Sequence, residues 1–260
     1  MKIIQYDTFD NVKMDLNLYY PENKDKDVKR GIVVFFFGGG WSGGTVKQFE
    51  PQAKELVRLG MAAALPSYRV LSRDGTPIEV AIQDAIYCVG HLYEHADEYG
   101  IDREKIVLSG GSAGAHIALS SVLLDTFIPE KFQYKDKIKG LLLCNPVLDA
   151  VQFAERAEAI KKSSYSPIDI SPIHHIRKDM PDTVIFQGTI DQTVPVEKAR
   201  EYAENVRQIG NECKLVEYDG CGHGFFNLRN DQIMNYYHVL GHMVQFLKDH
   251  NIFELDEGWK

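Results

Sequence analysis

No run of eighteen apolar residues occurs in the chain, so the sequence offers no helix that could span a bilayer. Cysteine is scarce. The four present, Cys88, Cys144, Cys213 and Cys221, include no C-x-x-C pair. That excludes the common thiol redox and zinc-ribbon patterns and leaves an expectation of four reduced thiols, three of them buried. Positive charge is in deficit: 29 basic against 37 acidic side chains give a net charge of −8. Such a surface repels phosphate backbones and anionic lipid heads, which argues against nucleic-acid and membrane partners. No H-E-x-x-H is present. The histidine pairs His91/His95 and His238/His242 have i, i+4 spacing but no third ligand, so they read as helix-surface residues and no metal is expected. No internal repeat or Pro/Gly/Ser-rich linker divides the chain, so 1–260 reads as one domain. The opening Met1-Lys-Ile-Ile-Gln-Tyr-Asp7 lacks an apolar signal core and a small-residue cleavage site, and the expectation is a cytoplasmic protein. The sign-alternating stretch from Lys24 to Arg30 reads as a solvated loop.

What is present is a globular composition, 44% hydrophobic and 25% charged. Segments near 2–7 and 13–20 predict an antiparallel ribbon, since Met14, Leu16, Leu18 and Tyr20 alternate with more polar neighbours. Ile32 to Phe37 is continuously apolar, as in a central strand covered on both faces. Helices are expected over 46–59, from Thr76 to about Tyr99, over 113–125, from Pro195 onward and over 231–249. Strands are expected at Met61–Leu65, Lys105–Leu108, Ile138–Cys144, Thr183–Phe186 and Lys214–Tyr218. This alternation predicts an α/β fold: a mostly parallel central sheet with helices on both faces. The stretch 147–175, polar and then rich in Ser, Pro and His, breaks the rhythm and reads as a small helical excursion over the strand ends. In such a sheet the functional site lies at the carboxyl ends of the strands.

The most informative motif is Gly110-Gly-Ser-Ala-Gly114, which reads G-x-S-x-G between an apolar strand and a helical pattern. A serine on a sharp strand-to-helix turn stands clear of the sheet, and small flanking residues let strand and helix pass closely. Ser112 is therefore the candidate nucleophile. A serine needs a base to take its proton and a carboxylate to orient that base, in the chain order Ser, Asp or Glu, His. Asp191 follows a predicted strand and a glycine turn, Gln187-Gly-Thr-Ile-Asp191. His223 sits in the glycine-rich loop Asp219-Gly-Cys-Gly-His-Gly-Phe225. Asp149, after the strand at 138–144, is the rival acid. For the oxyanion, backbone donors are expected from Ala113 and from Gly39 and Gly40 in Phe37-Gly-Gly-Gly-Trp41. Trp41, beside that loop, is the candidate substrate-binding residue, with a structural role as the alternative. Tyr68 and Arg69 follow a strand end and could brace the site. Phe225 and Phe226 are expected to pack behind the histidine loop, and His174-His175 to lie on a surface loop.

With these motifs the chain resembles the α/β-hydrolase superfamily. More narrowly, it is similar to small acyl esterases related to hormone-sensitive lipase and to bacterial acetyl and carbohydrate esterases. The carriers are Gly38-Gly-Gly-Trp41, Ser67-Tyr-Arg69, Gly100-Ile-Asp-Arg103, Gly110-Gly-Ser-Ala-Gly114, Gly188-Thr-Ile-Asp191 and Gly222-His-Gly224, spread over about residues 31 to 226. The resemblance implies an α/β-hydrolase fold with nucleophile, acid and base at the positions of Ser112, Asp191 and His223. One departure stands out: the family usually has a histidine before the three glycines, and here it is Phe37. The change leaves the backbone donors in place and the subfamily open.

The expected function is a serine carboxylesterase for short acyl esters in the acetyl range, with a sugar as one candidate alcohol. It would act through an acyl-enzyme on a small-molecule ester, with no metal or organic cofactor. Two readings stay open beside it: a peptidase or amidase on the same fold, and a non-catalytic binding protein that retains it.

Overall fold

The computed structural model describes residues 1–21 and 28–253. Residues 24–27 of the sign-alternating stretch lie outside that range. Eight strands, β1 (Lys2–Asp7), β2 (Lys13–Tyr19), β3 (Arg30–Phe36), β4 (Ala62–Pro66), β5 (Ile101–Gly111), β6 (Ile138–Cys144), β7 (Thr183–Gly188) and β8 (Cys213–Tyr218), form one sheet in the order β1-β2-β4-β3-β5-β6-β7-β8. β1 pairs antiparallel with β2, and β2 with β4; every later pair is parallel. This is the α/β-hydrolase arrangement the sequence predicts. The helices are α1 (Glu50–Arg58), α2 (Leu71–Asp74), α3 (Ile78–Glu94), α4 (Ala113–Leu123), α5 (Glu158–Lys161), α6 (Val196–Gln208) and α7 (Ile233–Asp249). None of the described helices is long and apolar enough to cross a membrane.

The unbroken apolar run of β3 has a simple cause. Ile32, Val34 and Phe36 face a core built with α3, α4 and α6. Val33 and Phe35 face a second core built with α1 and α7. A central strand with two apolar layers has no polar face to display. The three cysteines expected inside are buried, Cys221 is half-buried, and all four are free thiols.

Several boundaries differ from expectation. The helix expected from Thr76 to Tyr99 is Ile78–Glu94. Pro77, extended at ψ 172°, holds the chain out of helix until Ile78. Pro195 likewise precedes α6 and does not lie in its first turn. The helix expected over 46–59 is a 3₁₀ turn, Val46–Phe49, followed by α1 with its proline in the first turn. β5 begins at Ile101, well before Lys105, because Ile101 pairs with Arg30 across an irregularity in the ladder. The charged residues 102–105 hid that extension from an apolar pattern. The excursion is three short turns, Ala150–Phe153, Glu158–Lys161 and Pro172–His174.

The elbow requires backbone contact. A Cβ on Gly114 would lie 2.1 Å from the Phe36 carbonyl oxygen and 2.2 Å from that of Phe37. One on Gly110 would lie 2.5 Å from the Gly114 carbonyl carbon. α4 therefore packs directly against the end of β3, and the loop after β3 meets the N-terminus of α4.

His116 sits fully buried one turn into α4. Its Nδ1 accepts from Trp41 Nε1 at 3.3 Å, and its Nε2 donates to the Ile170 carbonyl at 2.7 Å. One ring thus ties the loop after β3 to the excursion. Burial pushes His116 down to about 4, against the pull of the Ile170 hydrogen bond. The unfolded chain, with an ordinary histidine near 6.5, therefore binds the proton first, and stability falls as pH drops between those values. We expect this residue to cost about 2–3 kcal/mol between pH 7 and pH 4.5. Urea unfolding at both pH values should show a shallower loss for His116→Gln than for the wild type; equal losses would assign the acid sensitivity elsewhere.

Candidate active site

Ser112 ends the turn between β5 and α4 at φ 54°, ψ −120°. A side chain other than glycine held there costs about 1–3 kcal/mol, so the surroundings must impose it. They do so through the backbone: Ser112 N–H donates to Cys144 O at 2.8 Å, and Ser112 O accepts from His116 N–H at 3.1 Å. β6 and α4 thus hold the residue from opposite sides.

His223 lies in the loop after β8, its side chain 28% exposed, with Nδ1 2.7 Å from Asp191 Oδ2. The Asp191 side chain is fully buried, so its charge must be met by protein donors. On Oδ2 it also accepts from Asn145 Nδ2 at 2.7 Å and Gln187 Nε2 at 3.2 Å. On Oδ1 it accepts the amides of Thr193 and Val194 at 2.9 and 3.0 Å. Burial alone would raise this carboxyl; the hydrogen bonds from His223 and the Val194 and Thr193 amides outweigh it and hold Asp191 below the usual aspartate value. Asp149 is engaged elsewhere. Its Oδ1 caps Val151 N–H at 3.0 Å, and its Oδ2 pairs with Lys198 Nζ at 3.1 Å.

The glycine loop is braced by Gln48 and Tyr68. Gly38 N–H donates to Gln48 Oε1 at 2.6 Å, which removes it as a free donor. Gly39 and Gly40 take φ 138° and 60°, and their amides meet no protein acceptor among the described residues. The Phe37 ring stacks on Tyr68 with centroids 4.1 Å apart, while the Tyr68 hydroxyl donates to the Phe37 carbonyl. Tyr68 is in turn followed by Arg69, whose guanidinium bonds Asp84 at 2.6 Å and Asp10 at 2.8 Å. The aromatic stack thus braces the loop at the position where the family's histidine is missing.

Ser112, His223, Gly39, Gly40 and Trp41 all line one cavity of about 730 Å³. Trp41 contributes to its wall but is itself only 2% exposed, with its ring edge-on to His116 and Phe153. The indole nitrogen faces His116, so the residue serves the wall and the core together. Phe226 lines the cavity too and stacks on Phe49, with the rings 5.6 Å apart. His174 and His175 do not line it. Sequence reasoning missed Asn145, Gln187 and His116. Each had a faint signal: a polar residue at a strand's carboxyl end, a lone amide in Val184-Ile-Phe-Gln-Gly188, and an imidazole in an otherwise small and apolar helix.

Comparison with known proteins places the fold among esterases. Esterase 2 of Thermogutta terrifontis superposes with a TM-score of 0.90 at 34% identity, covering 98% of this chain and 96% of that one. Its butyrate-bound form gives 0.89 at 35% identity over the same shares, and a propionate-bound form 0.89 at 34%. Among curated sequences, a probable isoprenylcysteine alpha-carbonyl methylesterase of Arabidopsis thaliana is 25% identical over 82% of this chain and 49% of its own length. A probable carboxylic ester hydrolase of Mycobacterium tuberculosis, LipM, is 27% identical over 67% of this chain and 44% of its own. The chain thus spans about half the length of these curated relatives. The sequence model of the BD-FAE family matches residues 16–206, most of the sheet and the elbow, and the chain belongs to that family of α/β-hydrolase esterases.

Proposed function

We propose that the protein is a serine carboxylesterase of short-chain acyl esters. One observation carries the reading: an elbow serine opens into the same cavity as a histidine whose far nitrogen is bonded to a buried, fully solvated-by-protein carboxylate. In this reading Ser112 Oγ attacks the ester carbonyl and His223 Nε2 takes its proton. Asp191 holds the imidazole with Nδ1 protonated and stabilises the imidazolium. The amides of Gly39, Gly40 and Ala113 receive the developing oxyanion. His223 returns the proton to the leaving alcohol, an acyl-enzyme on Ser112 remains, and water releases it by the reverse proton path. No step calls for a metal or an organic cofactor. A polar rim of Ser42, Thr193 and Asn227 suits a hydroxylated alcohol such as an acylated sugar. Cytoplasmic residence remains part of this proposal.

Ser112→Ala should remove ester hydrolysis while leaving the fold intact. Losses near 10⁶-fold in kcat have precedent in serine hydrolases. Activity within about tenfold of wild type on 4-nitrophenyl acetate would sink the assignment.

Asp191→Asn should cost on the order of 10⁴ in kcat, the loss found when a triad acid becomes an amide. Asp149→Asn should cost far less, because its carboxylate serves Val151 and Lys198. Parallel kinetics on one ester rank the two; a reversed order would make Asp149 the acid.

Trp41 supports a short acyl site, and the propionate and butyrate carried by the Thermogutta structures are of that size. Each methylene left unburied forgoes roughly 0.8 kcal/mol. kcat/KM on 4-nitrophenyl esters should therefore peak at about two to four carbons. A series from acetate to decanoate measures it, and a maximum at eight carbons or beyond would indicate an open acyl tunnel.

A further inference from the structure

The cavity wall contains one lysine or arginine side chain among the described residues, Arg156, in a protein of net charge −8. It belongs to the excursion, between its first two helical turns. Its guanidinium carbon lies 4.3 Å from the centre of the Phe153 ring, and its NH2 group donates to the Thr193 carbonyl at 3.2 Å. Phe153 in turn packs edge-on against Trp41, with ring centres 5.9 Å apart. The exposed cation thus rests between an aromatic face and a carbonyl at the cavity's edge.

Among the described residues, no carboxylate neutralises it. The acidic side chain beside it in the wall, Glu158, pairs instead with Lys161 at 2.6 Å. Arg156 forms no ion pair among the described residues and uses one of its five N–H groups on protein. A guanidinium presents its donors as a planar fork that matches a carboxylate. A positive group in the cavity of an acidic protein also concentrates anions locally, against the long-range repulsion of the surface.

We infer that Arg156 is a specificity residue that receives a carboxylate on the ester, so that the preferred substrates are anionic esters. This rests on the esterase reading above and deepens it. The carboxylate can belong to the acyl part, as in a half-ester of a dicarboxylic acid, or to the alcohol part, as in an acylated hydroxy acid or sugar acid. The chemistry at Arg156 is the same for both, and the substrates below tell them apart.

Two near-isosteric pairs make the test, followed by acid release in a pH-stat. Monomethyl succinate against methyl butyrate places the charge on the acyl side; 3-acetoxypropanoate against butyl acetate places it on the alcohol side. For the wild type, kcat/KM should favour the anion in at least one pair by about tenfold or more, the scale of a hydrogen bond to a charged group. The pair that shows it names the side. Arg156→Gln should lower that ratio by about tenfold or more, and Arg156→Lys should retain part of it, since an ammonium keeps the charge without the fork. The advantage should shrink with added salt. Anion-to-neutral ratios at or below one in both wild-type pairs would overturn the inference, as would a ratio unchanged in Arg156→Gln. If none of the four esters is turned over, 4-nitrophenyl acetate shows whether ester hydrolysis itself fails. Titration calorimetry of the same esters on Ser112→Ala then judges Arg156 separately: neutral esters binding as tightly as anionic ones would overturn it.

Discussion

The Asp191 carboxylate is buried where the ends of β6 and β7 meet the loop after β8, and a bare charge there would be untenable. Five donors answer it, from His223, Asn145, Gln187, Thr193 and Val194. They come from different segments, so satisfying one charge aligns several strand ends at once. The amide oxygens of Asn145 and Gln187 have no partner among the described residues. Both amides turn their nitrogens to the carboxylate and leave their oxygens unmet, which shows which interaction dominates locally. The position of His223 follows from this cluster.

The glycine loop is supported by different means. Its carbonyl at Phe37 is held by Tyr68, its first glycine amide by Gln48, and its tryptophan by His116. Each brace arrives from a different element: the strand-end segment after β4, the 3₁₀ turn before α1, and α4. Arg69 adds a more distant support, clamped between Asp84 and Asp10. Among the described residues the amides of Gly39 and Gly40 meet no protein acceptor, while neighbouring groups carry the structural load. Phe37 in place of histidine fits this scheme: a flat ring stacked on Tyr68 replaces a side-chain hydrogen bond with contact area and leaves the backbone path alone.

Much of this was legible in the residues themselves. The β3 run, the G-x-S-x-G elbow and the chain order of Ser112, Asp191 and His223 all come from short-range patterns with a clear physical reading. Asp191 and Asp149 both follow strands, and in the sequence only the glycine turn before Asp191 sets them apart; in the structure Asp191 bonds His223 at 2.7 Å, whereas Asp149 meets Val151 and Lys198. Asn145, Gln187 and His116 were not legible as site residues. Their roles depend on neighbours 46, 4 and 75 positions away in the chain, and the local sequence shows only that a polar group is out of place. The start of β5 was lost for a related reason. Its first residues pair through backbone groups, which leave no trace in side-chain hydrophobicity.

The Ile170 carbonyl joins the excursion to His116, and Ser164 joins it to Glu79 on α3 through two hydrogen bonds of 3.0 Å. Ala150 N–H donates to Ser171 Oγ and Ile173 N–H to Leu148 O, closing the segment on itself. The consequence concerns how such a protein can diversify. The stretch around Arg156 faces the cavity, whereas the stretch around Ile170 is joined to α4 and, through one imidazole, to the glycine loop. On the role proposed for Arg156, insertions and exchanges near it alter which molecules are chosen and leave the His116 link in place. A segment transplanted whole from a relative has to bring an acceptor for His116, or the reactive centre inherits the mismatch.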